Sequence, residues 1–258
     1  MKILLTGSKG FTGQHFARVA KGMGHSVLPL SADLQQPGAL REEISRESFT
    51  HVVHLAAISF VGHGDARAFY DVNLFGTLNL LDALLDAGIS LERVLIASSA
   101  NVYGNARVSP VTETAVPAPV NHYATSKVAM EHMAKTYGSL LDLLFVRPFN
   151  YTGPGQSVSF LIPKLVHHFK SRSPVIELGN LEVVREYNDV RMICEAYLRL
   201  LEYGTPNETY NICSGQGYSL LSVVSSLEQL TGHSMEVRVN PQFVRPNEVY
   251  ELLGDPSK

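Results

Sequence analysis

The sequence contains no tryptophan, only two cysteines among its 258 residues, and no long apolar run. A helix that crosses a bilayer needs roughly 20 consecutive apolar residues, so no membrane span is expected. Cys194 and Cys213 are too few for a disulfide framework or a zinc site, and the ten histidines are scattered, so no metal site is expected. The N-terminus enters a strand-like stretch without a charged and apolar leader, which predicts a cytoplasmic protein without a signal peptide.

Charged side chains are also scarce. They make up 17% of the residues, and the formal net charge is −3. Nucleic acids and anionic membranes attract basic proteins, so neither is an expected partner. Hydrophobic residues account for 45% of the chain. A chain of this length can bury a large core, with room for one nucleotide domain and a smaller lobe.

Three glycines follow the first apolar run at a spacing of three residues: Gly7, Gly10 and Gly13. Glycine is needed where the backbone turns tightly and lies against a ligand's phosphates, because it has no Cβ. The helix that follows presents free N–H groups and a partial positive charge to a pyrophosphate. A plain glycine turn is the alternative, but the position between a strand and a helix favours a dinucleotide site.

Short apolar runs alternate with helix-like stretches, which predicts an α/β fold with a doubly wound parallel sheet of the Rossmann type. The dinucleotide-binding domain is predicted at 1–150 and 186–214, and a smaller substrate-binding lobe at 151–185 and 215–258. Strands are predicted at 2–6, 26–30, 51–55, 92–97, 141–147 and 208–213, and helices at 12–23, 38–47, 72–87, 122–137, 157–171, 189–203 and 219–231.

Tyr123 and Lys127 lie four residues apart in a predicted helix, so their side chains are expected on one face. A cation beside a phenol favours the phenolate, so Lys127 is expected to lower the pKa of Tyr123. Such a phenol can exchange a proton with a carbonyl or alcohol oxygen. Ser99 follows another predicted strand at the ligand edge of the sheet, where it can donate to the same oxygen. A Tyr and a Lys four residues apart are more often part of an ordinary helix turn. The prediction of a catalytic site therefore depends on Ser99, Tyr123 and Lys127 taken together.

Together these motifs resemble the extended branch of the short-chain dehydrogenase/reductase family over nearly the whole chain. The stretches 147–157, 178–190, 210–219 and 244–249 are most similar to reductases of GDP-4-keto-6-deoxy-mannose. The resemblance implies a nicotinamide cofactor. The residues that it assigns to cofactor binding are Thr6, Gly7, Lys9, Gly10, Phe11, Thr12, Gly13, Asp33, Leu34, Leu55, Ala56, Ala57, Asn73, Tyr123, Lys127 and Pro148.

The identity of that cofactor depends on the end of the second strand, where an acid selects NAD by binding the ribose 2′-hydroxyl. Ser31 occupies this place in the sequence. Asp33 could serve instead, although it matches the family's adenine contact better. Lys9 could meet the 2′-phosphate of NADPH, or it could be a solvated surface lysine. NADPH is therefore the expected cofactor, and NADH is the alternative.

The resemblance also implies a nucleotide-sugar substrate. Arg185 and Arg245 are expected to hold its diphosphate, since a planar guanidinium matches phosphate oxygens. Glu248 is expected at the guanosine ribose, or else as a solvated acid, and Arg147 either contacts the ligand or packs at a strand end. The residues assigned to substrate binding are Ser99, Asn101, Tyr123, Asn150, Arg185, Arg245 and Glu248.

The implied reaction is reduction of the 4-keto group of a nucleotide-activated 4-keto-6-deoxy sugar, namely GDP-4-keto-6-deoxy-mannose, by NAD(P)H in deoxysugar biosynthesis. Related dehydratases carry a carboxylate base where this sequence has Asn101, and an amide has no basic site for elimination. A nucleotide-sugar 4-epimerase with tightly bound NAD remains open. A non-catalytic nicotinamide sensor is a third hypothesis, disfavoured because Tyr123 and Lys127 are both present.

A homodimer is a further expectation from the family pattern. The helices after Asn73 and around Tyr123 are expected to form its contact, and the small apolar residues expected there are Ala83, Leu84, Val128 and Ala129. The same pattern predicts a further helical segment after Lys258.

Overall fold

A six-stranded parallel sheet forms the centre of the structure, a computed structural model that describes residues 1–106, 108–244 and 249–258. Its strands, numbered in chain order, are β1 Lys2–Thr6, β2 Ser26–Pro29, β3 His51–His54, β4 Arg93–Ala97, β5 Leu143–Pro148 and β10 Thr209–Ile212. In space they run β2-β1-β3-β4-β5-β10, and all neighbours are parallel. The order reverses beside β1, and ligands of such sheets bind at this switch point. The predicted fold class is confirmed.

Helices cover both faces of the sheet, because its central strands are apolar on both sides. One face packs against α1 and α7, around Phe16, Tyr197 and Leu198. The other face packs against α2, α4 and α5, around Leu40, Leu80 and other buried residues. The bounds are α1 Phe11–Gly22, α2 Pro37–Arg46, α4 Gly76–Asp86, α5 His122–Lys135 and α7 Val190–Tyr203.

The prediction of a single helix at 72–87 is wrong in detail. The helical stretch begins earlier, with α3 Ala66–Tyr70, because the Asp65 carboxylate accepts from the amides of Arg67 and Ala68. A π-helical turn, Asp71–Phe75, then joins α3 to α4. Such turns occur often at functional sites, and this one carries Asn73.

A second hydrophobic cluster forms the smaller lobe, between α6, α8 and the paired strands β7 and β12. The helix predicted at 157–171 starts only at Leu161, because the Ser157 hydroxyl bonds the Ser159 amide and so competes with helical bonding. The elements of this region are β6 Tyr151–Thr152, α6 Leu161–Lys170, β7 Val175–Leu178, β8 Val184–Arg185, β9 Asn188–Asp189, β11 Tyr218–Ser219, α8 Leu220–Thr231, β12 Glu236–Val239 and β13 Glu251–Leu252. The domain boundaries stay a prediction.

The surface expected to form a dimer is partly wrong. Ala83 and Leu84 are each 1% exposed, because this side of α4 packs inside the monomer. Val128 also packs against a buried cluster. The homodimer stays a prediction, and exposed residues such as Phe75, in the π-helical turn before α4, have to form its contact.

Among residues 1–106, 108–244 and 249–258, no helix is long and apolar enough to cross a bilayer. In the same part of the chain, no three His, Cys, Asp or Glu side chains converge as metal ligands.

Candidate active site

The glycine loop lies at the carboxyl end of β1 and has no space for side chains. Gly7 has a φ of 68°, and a Cβ there would lie 2.7 Å from the Ala56 nitrogen. A Cβ on Gly13 would lie 2.2 Å from the Gly7 carbonyl oxygen, and the Gly10 amide donates to that oxygen at 3.0 Å. The loop is therefore a backbone cradle that only glycine permits. Such a cradle, followed by α1, fits the pyrophosphate of a dinucleotide.

Residues predicted to bind the cofactor surround this cradle. The Thr6 hydroxyl accepts from the Leu55 and Ala56 amides at 3.1 and 3.0 Å, which holds the segment Leu55–Ala57 beside the loop. Lys9 and Asp33 are exposed. Leu34 is buried, and its carbonyl accepts from Asn79 at 2.8 Å.

Two other loop residues face the smaller lobe. Phe11 stacks on Tyr151 with ring centroids 6.3 Å apart, and the Thr12 hydroxyl lies 2.8 Å from the Tyr151 hydroxyl. Both contacts join the start of α1 to β6. Phe11 and Thr12 therefore fix the loop against β6.

Tyr123 lies in the first turn of α5, as predicted. The helix starts there because the Asn121 side chain accepts from the Ala124 amide at 2.9 Å and so caps it. Tyr123 is 7% exposed and Lys127 4%. The Lys127 ammonium donates to the Ala97 carbonyl at the end of β4, at 2.8 Å. Burial lowers the pKa of Lys127 to about 8, and Glu131 opposes this shift.

The expectation that Lys127 lowers the pKa of Tyr123 is wrong for this arrangement. Burial raises the pKa of Tyr123, and only a hydrogen bond from the Ser99 side chain opposes the rise. The physical reason is that the Lys127 ammonium is directed to Ala97. Tyr123 is therefore a protonated phenol at neutral pH, poised to give a proton.

Ser99 caps a short 3₁₀ turn, Ala100–Tyr103, that follows β4. Its Oγ accepts from the backbone amide of Asn101 at 3.2 Å and from the side-chain amide at 3.1 Å. Two acceptor bonds leave the serine proton free to be donated elsewhere. Asn101 thus orients Ser99 toward Tyr123, a role that the sequence did not reveal.

A buried chain of hydrogen bonds joins the glycine loop to α5. The Thr77 hydroxyl donates to the Asn73 carbonyl at 2.7 Å, so it can only accept from His54 Nε2 at 2.9 Å. His54 Nδ1 then accepts from the Thr6 hydroxyl at 2.7 Å. At the other end the Asn73 side chain donates to Ser126 at 3.1 Å, next to Lys127. The sequence predicted Asn73 but gave no sign of Thr77 or Ser126.

This chain requires a neutral His54, and burial lowers its pKa from 6.5 to about 3. The unfolded chain takes up a proton between these values and the folded protein does not. The free energy of unfolding is therefore expected to decrease as the pH drops from 6.5 to about 3. His54 contributes at most ~1.4 kcal/mol per pH unit to this loss of stability. The His54→Gln variant keeps one donor and one acceptor but cannot titrate, so its urea midpoint should depend less on pH between 7 and 4. Equal slopes for the two proteins would contradict this account.

Arg147 packs inside the protein, which is the second of the two roles expected for it. Its guanidinium donates twice to the Glu131 carboxylate, at 2.9 and 2.6 Å, and once to the Tyr103 hydroxyl at 2.9 Å. Arg147 and Glu131 are 4% and 2% exposed. Pro148 follows at the buried end of β5, beside Ile212.

The residues predicted to bind substrate are only partly described. Asn150 is exposed, and its carbonyl accepts from the Asn188 amide at 2.9 Å. The Arg185 guanidinium donates to the carbonyls of Val184, at 2.7 Å, and of Val249 and Tyr250. Arg245 and Glu248 lie outside the described residues.

Comparison with known proteins shows the family of the chain. A model of the NAD dependent epimerase/dehydratase family matches residues 3–213. GDP-6-deoxy-D-talose 4-dehydrogenase of Aggregatibacter actinomycetemcomitans is 37% identical over 100% of this chain and 90% of its own length. GDP-6-deoxy-D-mannose reductase of Pseudomonas aeruginosa is 32% identical over 98% of this chain and 88% of its own length. The structure of RMD from Pseudomonas aeruginosa complexed with NADPH has a TM-score of 0.90 and 31% identity, and the match covers 100% of this chain and 91% of that one. The chain therefore belongs to the NAD-dependent epimerase/dehydratase family, in the extended branch of the short-chain dehydrogenases/reductases.

Proposed function

We propose that this protein uses NAD(P)H to reduce the 4-keto group of a nucleotide-activated 4-keto-6-deoxy sugar, namely GDP-4-keto-6-deoxy-mannose. The observation that carries the proposal is the convergence of Ser99, Tyr123 and Lys127 beside a glycine cradle. The sugar is proposed from the two relatives described above, whose names both specify GDP-linked 6-deoxy sugars.

The cofactor, when bound, supplies the hydride. Residues of the glycine loop would hold its pyrophosphate, and Lys127 and Asn73 would hold its nicotinamide half. As negative charge grows on the ketone oxygen, Ser99 donates a hydrogen bond to it and Tyr123 donates its proton. Because burial raises the pKa of Tyr123, the phenol starts protonated, as a proton donor must. Lys127 bonds the Ala97 carbonyl at the end of β4 and so holds α5, with Tyr123, in position for this transfer.

The substrate contacts are proposed to be Asn150 and Arg185, together with Arg245 and Glu248. The Asn101 side-chain amide donates to the Ser99 hydroxyl. An amide in that place supports reduction rather than elimination, since it cannot remove a proton from carbon.

The reaction is tested by mixing the protein with NADPH and freshly prepared GDP-4-keto-6-deoxy-mannose and following the absorbance of the reduced nicotinamide. The expected result is net oxidation of NADPH with formation of a GDP-6-deoxy-hexose. NMR of the sugar then gives the configuration at C4. A C4-inverted sugar without net oxidation would instead identify a 4-epimerase. Binding of NADPH without turnover would identify a sensor and overturn the proposal.

NADPH is the proposed cofactor, with NADH as the alternative, and Lys9 is the residue proposed to meet the 2′-phosphate. Its side chain is exposed on the glycine loop. The Lys9→Glu variant is expected to raise the KM for NADPH about tenfold or more, because it replaces an attraction to the phosphate by a repulsion. The KM for NADH should change little. Lys21→Glu, which makes the same charge change at the far end of α1, is the control, and equal effects on both cofactors would contradict the role of Lys9.

A further inference from the structure

A carboxylate from α2 lies at the carboxyl end of β2. Glu43 Oε1 accepts from the Ser31 amide at 2.8 Å, and Oε2 accepts from the Ala32 amide at 2.7 Å. Two consecutive N–H groups that point to one anion form a ready site for negative charge. In this protein, the protein's own carboxylate fills that site.

The strand register places this site beside the glycine loop. β1 and β2 pair in parallel from Lys2 with Ser26 to Leu5 with Pro29, and the Leu30 amide donates to the Leu5 carbonyl at 2.8 Å. Continuing this register, Ser31 stands level with Gly7. The amides that hold Glu43 therefore lie at the end of the sheet where the ribose of a bound dinucleotide is recognised.

At this place in the fold an acid favours NAD and a cation favours NADP. The residue at the strand end is Ser31, which carries no charge, but Glu43 brings a carboxylate to its backbone from eleven to twelve positions further along the chain. Lys9 on the glycine loop and Asp33 after β2 are also charged, and both are exposed. A 2′-phosphate would thus meet the attraction of Lys9 and the repulsion of Glu43 in the same region.

We propose that Glu43 is a cofactor-specificity residue whose carboxylate occupies the two amides at the end of β2 and disfavours nucleotides that carry a 2′-phosphate. The inference rests on the proposed binding of a nicotinamide dinucleotide. The Glu43 carboxylate therefore lowers the preference for NADPH over NADH that Lys9 provides.

The test compares the binding of 2′,5′-ADP and 5′-AMP by calorimetry, without sugar and without turnover. In Glu43→Gln the charge is removed and one amide is freed, because a glutamine offers only one acceptor oxygen. The affinity for 2′,5′-ADP relative to 5′-AMP is expected to rise about fivefold, the order that one unit charge about 4 Å away gives in bulk water. This gain should shrink in high salt, because exposed charges are then screened.

Glu47→Gln is the matched control, since it removes the same charge from an exposed residue just after α2 and should leave the ratio unchanged. Glu43→Gln is expected to fold, because Ser31 is exposed and water can replace the carboxylate as the acceptor for its amide. Thermal melting checks this, and the ratio of NADPH to NADH dissociation constants gives a second readout. The proposal is overturned if the affinity for 2′,5′-ADP relative to 5′-AMP stays constant in Glu43→Gln, or if it rises equally in Glu47→Gln. The identity of the sugar substrate does not enter this result, so its failure leaves the proposed reaction standing.

Discussion

Replacing Tyr123 by phenylalanine is expected to lower kcat at least about 100-fold, the usual contribution of a positioned proton donor. The ring of Tyr123 packs near Phe69, with centroids 6.0 Å apart, and phenylalanine keeps this contact. The variant loses the hydroxyl, which is the group that receives the Ser99 hydrogen bond. Cofactor affinity should therefore change little, and single-turnover rates with the 4-keto sugar measure the loss directly.

Tyr137→Phe is the control for this experiment. It makes the same chemical change just beyond α5, where the hydroxyl donates to Asp82 at 2.5 Å. Its kcat should stay within about twofold of the wild type, because no proton transfer depends on it. A Tyr123→Phe enzyme that retained half of its activity would remove Tyr123 from the proposed mechanism.

The large elements of the fold could be predicted because their signals are local. The apolar runs of β1, β3 and β4 are short and bounded by turn residues, as expected for strands buried on both faces. The predicted bounds of these strands agree with the structure within one residue. The π turn at Asp71–Phe75 was missed, because one inserted residue leaves the helical pattern of apolar residues almost unchanged.

The site was predicted less completely, because its partners are distant in sequence. The four-residue spacing of Tyr123 and Lys127 was visible, but the direction of the Lys127 ammonium depends on the Ala97 carbonyl, 30 positions away. The bond between His54 and Thr77 spans 23 positions and has no local signature either. The pKa of Tyr123 was predicted in the wrong direction for the same reason: burial and the actual bonding partner decide it.

The buried pair of Arg147 and Glu131 makes the strongest prediction about stability. Two parallel bonds of 2.9 and 2.6 Å join the guanidinium to the carboxylate, and both side chains are almost fully buried. Removing one partner leaves the other as an uncompensated buried charge. Glu131→Gln and Arg147→Met are therefore each expected to lower the free energy of unfolding by ~3–5 kcal/mol, measured by urea denaturation.

The double variant Glu131→Leu with Arg147→Met separates this cause from a simple loss of packing. It removes both charges together, so it should be more stable than Arg147→Met alone, even though it carries one more substitution. Arg41→Met is the control, because Arg41 pairs with Asp86 at 2.6 Å while both side chains are more than half exposed. An exposed pair contributes at most about 1 kcal/mol. An Arg147→Met variant that lost no more free energy of unfolding than Arg41→Met would show that the buried pair does not hold the end of β5 to α5. The helix that carries Tyr123 and Lys127 would then have to be supported by the bond between Asn73 and Ser126.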